Sequence, residues 1–411
     1  MKESYDIVVV GGGAAGYFAA IHAANKGTNT VVILEKTAKV LTKVAVSGGG
    51  RCNVTHDCDY PSQLIANYPR GGKKLRKPFE LFDAVATKNW FESRGVTLKT
   101  ESDGRVFPTS DSSQTIIDCL DDAATEAGVK IHFKREVTKL EKMSGGGFNL
   151  ILGQGDQIKA KKVIVSTGGS NKPESYEWLK TLGLKIAKPL PSLFTFNVPS
   201  SDFKDLMGLS VPYGKILIPG TKWKSEGPVL ITHWGFSAPA VIKLSAWAAI
   251  YLNGLNYNFP ILINWTGKTE EETRAEIVEM RKKHPAKLVV TNQMFDLPHR
   301  LWERVCEKAE IKSNTRFADL PAKQNNKLVE NLIRSPFAVS GKTTFKEEFV
   351  TCGGVELDSV INTSFESKLN PGLYLAGEVL NVDGVTGGFN FQHAWTSGFL
   401  AGAHAAKTLI T

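Results

Sequence analysis

Apolar residues come in two textures along this chain, and the change between them divides it. Near the start the apolar runs are continuous. Tyr5-Asp6-Ile7-Val8-Val9-Val10 and Thr30-Val31-Val32-Ile33-Leu34 are short and β-branched, as strands buried on both faces of a parallel sheet should be. Between them Tyr17 to Lys26 reads as a helix of small residues, stopped before Gly27. Pro78 to Arg94 sets Phe79, Phe82, Val85, Trp90 and Phe91 near helical spacing, and Ser110 or Asp111 is placed to cap a helix to about Ala127. Lys130 to Glu141 alternates like one strand and Gly145 to Lys162 like a hairpin or meander, while Lys162 to Val165 is another buried strand. From about Pro191 the texture changes to short strands and turns, the pattern of a sandwich or barrel. Between roughly Gly254 and Pro321 it becomes helical and charged, with Thr269-Glu270-Glu271-Glu272 fitting a capping box. Leu373-Tyr374-Leu375-Ala376 restores the first texture, and a glycine-led helix follows to about Lys407.

The first strand runs into Gly11-Gly12-Gly13-Ala14-Ala15-Gly16, which fits G-x-G-x-x-G. Gly11 allows the tight turn, Gly13 lets backbone approach a pyrophosphate, and Gly16 lets helix pack close to strand. The helix N-terminus offers free N–H groups and a positive dipole end to phosphates. Glu35, at the end of the second strand, is placed to accept from an adenosine ribose and argues against a 2′-phosphate there. Strand, motif, helix and acid in this order predict an adenosine-diphosphate site, and leave FAD and NAD both open. Thr167-Gly168-Gly169 would lie near the same ligand, at the carboxyl edge of the sheet. No second GxGxxG follows a strand, so a separate NAD(P) domain is not expected. The loop Ser47-Gly48-Gly49-Gly50-Arg51-Cys52-Asn53 can lie against a planar or anionic ligand where side chains would obstruct. Gly387-Gly388 heads a second helix whose dipole would face that ligand.

Length and charge set limits. At 411 residues two or three domains are expected, and 42% hydrophobic with 22% charged residues is ordinary for a globular protein. No apolar stretch reaches membrane-spanning length, and the first apolar run becomes the glycine turn rather than a cleavage site, so a cytoplasmic protein without a membrane partner is expected. Cys52, Cys58, Cys119, Cys306 and Cys352 are odd in number and scattered, which is no disulfide framework. Cys52 and Cys58 with His56 between them lack a second cluster to complete a tetrahedral site, so no metal is expected. The net charge of +9 and the run Arg70-Gly71-Gly72-Lys73-Lys74-Leu75-Arg76-Lys77 raise nucleic acid as a partner. With few interleaved aromatics and no RNA-binding motif, nucleic acid is not the expected one. Nothing in the sequence fixes an oligomeric state.

These segments together resemble a bacterial family of NAD(P)/FAD-dependent oxidoreductases, with bile-acid 3-dehydro-Δ4,6-reductase-like and aminoacetone-oxidase-like members. The resemblance spans nearly the whole chain. It rests on Gly11 to Gly16 with Glu35, on the Ser47–Asn53 loop, and on Arg105-Val106-Phe107-Pro108 and Thr167-Gly168-Gly169. It continues through Thr232-His233 with Gly235, Ser237 and Pro239, through Gly353-Gly354-Val355, and through Gly377-Glu378 to Gly387-Gly388 and Asn390. Three positions depart from the family: Leu41-Thr42-Lys43 stands where Gly-Arg-Lys is usual, Ala238 replaces a glycine and Phe365 a methionine.

The resemblance implies an α/β fold: a Rossmann-like FAD-binding domain (residues 1–190 and 350–411) with an inserted β-barrel-like domain (191–253 and 322–349), itself carrying a small helical insertion (254–321). It implies a FAD-dependent oxidoreductase in which NAD(P)H could act as a transient reductant. The acceptor would be a small unsaturated organic molecule. An amine or aminoketone oxidase using oxygen, and an RNA-associated flavoprotein, are the alternatives. The implied FAD contacts are Gly11, Gly13, Ala14, Ala15, Gly16, Glu35, Lys36, Lys43, Ser47, Gly48, Gly49, Gly50, Arg51, Cys52, Asn53, Val137, Thr167, Gly168, Gly169, Gly377, Glu378, Gly387, Gly388, Phe389 and Asn390. His233, Arg51 and Asn53 are the candidate catalytic residues, with Asn390 and His393 as further polar candidates and Cys52 as a candidate redox thiol. His233 is the one suited to act as an acid near neutral pH.

Overall fold

A computed structural model describes residues 3–24, 29–343 and 350–407. The chain forms two compact units, residues 1–192 with 346–411, and residues 193–345.

The first unit is built on a seven-stranded sheet. Its strands are β1 (Glu3–Val10), β2 (Val31–Leu34), β3 (Lys130–His132), β4 (Val137–Lys142), β5 (Phe148–Leu152), β6 (Gln157–Val165) and β7 (Leu373–Leu375), in the order β3-β2-β1-β6-β5-β4 with β7 also on β6. β3, β2, β1, β6 and β7 run parallel, and β5 and β4 return antiparallel. The apolar runs of β1 and β2 are fully buried from Ile7 to Val10 and from Val31 to Leu34. Helix α1 (Ala14–Ala23) and the last helix, α2 (Phe389–Lys407), pack backbone to backbone. Gly398 and Gly402 allow this: a Cβ on Gly398 would lie 2.6 Å from the Ala15 carbonyl oxygen, and one on Gly402 would overlap that of Ala19.

Several local expectations need correction. The apolar stretch from Pro78 to Arg94 is two helices, Arg76–Leu81 and Ala84–Glu92. Phe82 is extended, and the Asp83 carboxylate accepts from the Ala86 N–H at 2.8 Å, so a cap interrupts the apolar spacing. The helix over Ser113–Glu126 is capped by Ser112 rather than Ser110 or Asp111. The stretch from Lys130 to Glu141 is not one strand: Lys134 has φ 55°, and β3 and β4 lie on opposite edges of the sheet. The expected stop at Gly27 lies outside the described residues.

The second unit has a seven-stranded antiparallel sheet whose outermost strands are Ser335–Ser340 and Lys342–Thr343. Only Gly341 separates these two in the chain. Its N–H donates to the Tyr257 carbonyl at 2.8 Å and its own carbonyl accepts from the Asn197 N–H at 3.1 Å. A sheet whose two margins are joined by one residue must curl round on itself, which makes it barrel-like. The charged helices do not form a separate body. Trp302 and Leu328, on helices His299–Lys308 and Ala322–Ile333, share one core with Phe196, Phe236 and Ile261 of the sheet. Asn258–Asn264, within the stretch expected to be helical, is a strand of this sheet.

Two of the three departures from the family now have a physical reading. Leu41 (φ 53°) and Ala238 (φ 81°, ψ 173°) both hold conformations that suit glycine. Ala238 lies in a region that is almost exclusive to glycine, where a side chain costs about 1–3 kcal/mol. An Ala238→Gly variant is expected to raise the stability of this unit by about 1 kcal/mol, once glycine's larger unfolded-state entropy is subtracted. Denaturant melts should show a higher midpoint at unchanged slope, and a lower midpoint would refute the strain.

Candidate functional site

Register places the site. Val10 pairs with Leu34 and with Val165, and Leu375 also pairs with Val165. Four parallel strands therefore end level, and the residues just beyond are Gly11, Glu35, Ser166 and Ala376. This carboxyl edge is where open α/β sheets bind ligands.

At the first strand end a Cβ on Gly11 would lie 2.5 Å from the Ser166 carbonyl oxygen, and one on Gly16 would overlap the Gly11 carbonyl. Gly13 differs: a Cβ there would meet nothing within 4 Å. Gly13 is also the N-cap of α1, which has no side-chain cap and no acid in its first turn. Each Glu35 oxygen accepts one N–H, from Gly12 at 2.9 Å and from Thr37 at 2.8 Å, and each keeps a lone pair for a hydroxyl. Lys36 beside it is exposed. The Arg135 N–H donates to the Glu35 carbonyl at 2.8 Å, which brings the start of β4 at Val137 close to the same edge.

The loop after residue 42 breaks helical geometry at Ser47 (ψ 150°), Gly48 (φ 58°) and Gly49 (φ 70°). Gly49 and Gly50 face open space. Arg51 is braced, donating to Glu101 at 2.7 Å and lying 4.0 Å from the centre of the Phe107 ring. Cys52 is buried, and burial pushes its thiol up to about 12, so it stays protonated at neutral pH. That removes the thiolate a redox cysteine needs.

The second cluster gathers around Glu378. One carboxylate oxygen accepts from the Thr351 N–H at 2.8 Å and the other pairs with Lys43 at 2.7 Å. Gly169 approaches so closely that a Cβ would lie 2.6 Å from Glu378 Oε1, whereas Gly168 is open. Thr167 is exposed beside them.

The head of α2 is clamped from the Asn53–His56 stretch. Asn53, with its amide oxygen toward Gly388, accepts from the Gly388 N–H at 3.0 Å and donates to the Thr55 carbonyl at 2.9 Å. Thr55 donates to Gln392 at 2.6 Å, and Trp395 donates to the Val54 carbonyl at 2.9 Å. Asn390 clasps Gly384, accepting from its N–H at 2.8 Å and donating to its carbonyl at 3.0 Å. The His56 ring stacks on Phe389 at 4.7 Å, with Nδ1 3.1 Å from the Gly387 carbonyl. Asn53 and Asn390 thus spend their amides on backbone. The sequence pattern weighed His56 only as a metal ligand and did not single out Thr55 or Gln392, although Thr55 and His56 lie within three residues of the glycine-rich loop. His393 is buried, its Nε2 3.3 Å from the Gly377 carbonyl and its Nδ1 without a partner among the described residues. Burial pushes it down to about 4, so it is neutral at pH 7.

Asp383 is wholly buried beside this cluster. It pairs with Arg70 through both guanidinium branches and accepts from Ser192 at 2.7 Å. The basic run is therefore partly neutralised: Arg70 by Asp383, Lys74 by Asp358, and Arg76 and Lys77 by a shared Glu80. His233 belongs to the second unit. It is exposed at the tip of a tight turn closed by Thr232 and Gly235, with its ring edge-on to Trp234 at 4.4 Å.

FAD fits these residues. Gly13, Gly49, Gly50 and Gly168 each leave open space where a side chain would stand, and the uncapped α1 head suits a pyrophosphate. Gly11, Ala14, Ala15, Gly16 and Glu35 would hold the adenosine diphosphate, with Lys43, Thr167, Gly169, Gly377 and Glu378 next along the edge. Ser47 to Asn53 and Gly387 to Asn390 would hold the ring. Among the described residues no group of acids, histidines and cysteines could hold a metal ion, and no helix is long and apolar enough to cross a membrane.

The chain is similar to known proteins over nearly its whole length. The family described as HI0933-like protein Rossmann domain matches residues 5–404. The ribosomal RNA dihydrouridine synthase of Escherichia coli is 29% identical, over 96% of this chain and 96% of its own. The 3-dehydro-bile acid delta(4,6)-reductase of Clostridium scindens is 28% identical, over 98% of this chain and 99% of its own. Among solved structures, the 3-ketosteroid delta1-dehydrogenase of Sterolibacterium denitrificans superposes with a TM-score of 0.54 at 14% identity, over 99% of this chain and 100% of that one, a likeness of fold.

Proposed function

This chain belongs to the HI0933-like family and is a flavin-dependent oxidoreductase; from that premise we propose that it reduces a carbon–carbon double bond conjugated to a carbonyl, with uridine in ribosomal RNA as the acceptor. The observation that carries this reading is the chemistry shared by two relatives aligned over nearly the whole chain. Making dihydrouridine adds two hydrogens across the uracil double bond, which is conjugated to a ring carbonyl. The bile-acid relative is named for reducing double bonds of a 3-oxo compound.

Net, NAD(P)H gives up a hydride and becomes NAD(P)⁺. The carbon β to the carbonyl gains that hydride, and the α-carbon gains a proton from an acid. FAD supplies the two-electron carrier between donor and acceptor. The chain's residues bind and orient. Asn53 and His56 are positioning residues, fixing the Gly388 N–H and the Gly387 carbonyl at the head of α2. The acid is assigned to His233, whose exposed ring is free to meet a large substrate.

Charge favours RNA over a small apolar acceptor. Residues 193–345 hold 20 Lys and Arg against 14 Asp and Glu, a net +6 of the chain's +9. A free enone is the second reading, favoured by the Clostridium scindens relative.

The test is anaerobic mixing of holoprotein with NADH and NADPH, then with ribosomal RNA transcribed in vitro. Nicotinamide should bleach the flavin, and RNA should restore its colour and gain the mass of two hydrogens per modified uridine. His233→Ala should slow the second step about 10²–10⁴-fold and leave the first unchanged. Colour restored by a steroid enone and not by RNA would move the assignment to the second reading. Bleaching by amines alone would end the reductase assignment.

A further inference from the structure

Positive charge on the second unit is unevenly neutralised. Several cations of this unit face carboxylates: Lys268 meets Glu276, Arg274 meets Glu270, Arg304 meets Asp205 and Glu307, Lys308 meets Asp202, and Lys327 meets Glu310. Cations without an ion pair occur elsewhere on the unit, but two neighbouring segments hold several of them together. The helix Glu270–Lys283 ends in Arg281, Lys282 and Lys283, and the chain continues through His284 to Lys287, all exposed. The segment holding Lys312 and Arg316, also exposed, is fastened alongside. The Phe317 N–H donates to the Lys287 carbonyl at 2.9 Å, the Val289 N–H to the Thr315 carbonyl at 2.9 Å, and the Ala318 N–H to the Pro285 carbonyl at 3.0 Å. Arg281 adds a bond to the Ala318 carbonyl. Residues 281–288 and 312–318 contain six cations and no carboxylate. Lys283 reaches back to Glu279, and Asp319 lies just past the second segment. Among the described residues Lys282, Lys287, Lys312 and Arg316 make no ion pair.

Cations in the last turn of a helix complement its dipole, which accounts for Arg281, Lys282 and Lys283. It does not account for Lys287, Lys312 and Arg316, which lie beyond the helix. We propose that this face is where the protein docks on the phosphate backbone of folded RNA. The proposal rests on the RNA reading above and adds where the RNA is held. Fixed main-chain pairing between the two segments holds the cations as a rigid patch, which suits a backbone of regularly spaced phosphates. Such contacts position a substrate without reading its sequence, and their strength falls with salt as counterions are released. The partly neutralised run at Arg70–Lys77 lacks this property.

The experiment compares holoprotein with a Lys282→Gln/Lys287→Gln/Arg316→Gln variant, titrated with ribosomal RNA transcribed in vitro at several salt concentrations. The variant should bind at least tenfold more weakly near physiological salt, and its slope of log affinity against log salt should be shallower by about 2–3. Flavin content and bleaching by nicotinamide should match wild type. A Lys73→Gln/Lys77→Gln variant should bind RNA as wild type does. If wild type binds RNA and the triple variant keeps both affinity and slope, this face is not the docking surface and the RNA reading survives. If wild type binds vesicles rich in anionic phospholipid and not RNA, both fall together.

Discussion

An Arg70→Met variant is expected to lose about 3–5 kcal/mol of stability, the usual cost of stripping one partner from a buried ion pair. Asp383 has no exposed surface, and burial already pushes its carboxyl up against the opposing pull of Arg70. Without the guanidinium the carboxylate keeps, among the described residues, only the Ser192 hydroxyl, so it must either stay charged in an apolar setting or take up a proton. The double variant Arg70→Met/Asp383→Leu removes both charges and should recover most of the loss. Denaturant melts of the holoprotein measure this. A loss below about 1 kcal/mol in the single variant would mean that the pair is solvated in solution. The damage should also reach the flavin, because Asp383 lies six residues before Phe389 at the head of α2.

The second large effect is expected at Gly388. Its φ is 94°, and a Cβ there would lie 2.6 Å from the Thr55 carbonyl carbon and oxygen and 2.9 Å from the side-chain amide of Asn53. Backbone cannot swing aside as a side-chain tip can, and Thr55 is held by the Asn53 amide and by Gln392. Strain of about 1–3 kcal/mol for the dihedral adds to an overlap of similar size. Gly388→Ala should therefore displace the helix head and weaken FAD retention roughly a hundredfold or more, since every 1.4 kcal/mol is tenfold. Gly146→Ala is the control, because Gly146 has φ 87° in open space and carries the dihedral strain alone. Equal flavin dissociation constants in Gly388→Ala and wild type would mean that the ring lies away from this helix.

The parts legible in the sequence were those dictated by local backbone chemistry. Buried β-branched runs give β1 and β2. The glycine motif marks the one turn where Gly11 and Gly16 must touch backbone. Glu35 at a strand end is a matter of counting. What was not legible depends on distant partners. Arg70 reads as part of a basic run because Asp383, which neutralises it, stands 313 residues away. Asn53 and Asn390 read as polar groups for a ligand, yet their amides hold Gly388 and Gly384. Phe79, Phe82, Trp90 and Phe91 are buried as their spacing suggests while Val85 is exposed, and one capping carboxylate at Asp83 outweighs periodicity and makes two helices of the stretch. Helical segments in 254–321 read as a separate insertion because composition cannot reveal that Trp302 and Phe236 share a core.

The single residue joining the two margins of the second unit's sheet bears on behaviour at high concentration. A flat sheet presents unpaired main-chain groups at its borders, and another molecule's strand can add there and seed aggregates. With Gly341 bonded to Tyr257 on one side and Asn197 on the other, residues 193–345 offer no long border of that kind among the described residues. The first unit blunts its own borders differently. β3 is three residues long, and β4 carries Lys139, Glu141 and Lys142, charges that discourage a stacking neighbour. Among the described residues neither seven-stranded sheet offers a template for strand addition, so turbidity on storage or heating should track the population that has opened, with a lag set by unfolding rather than by encounters between intact molecules.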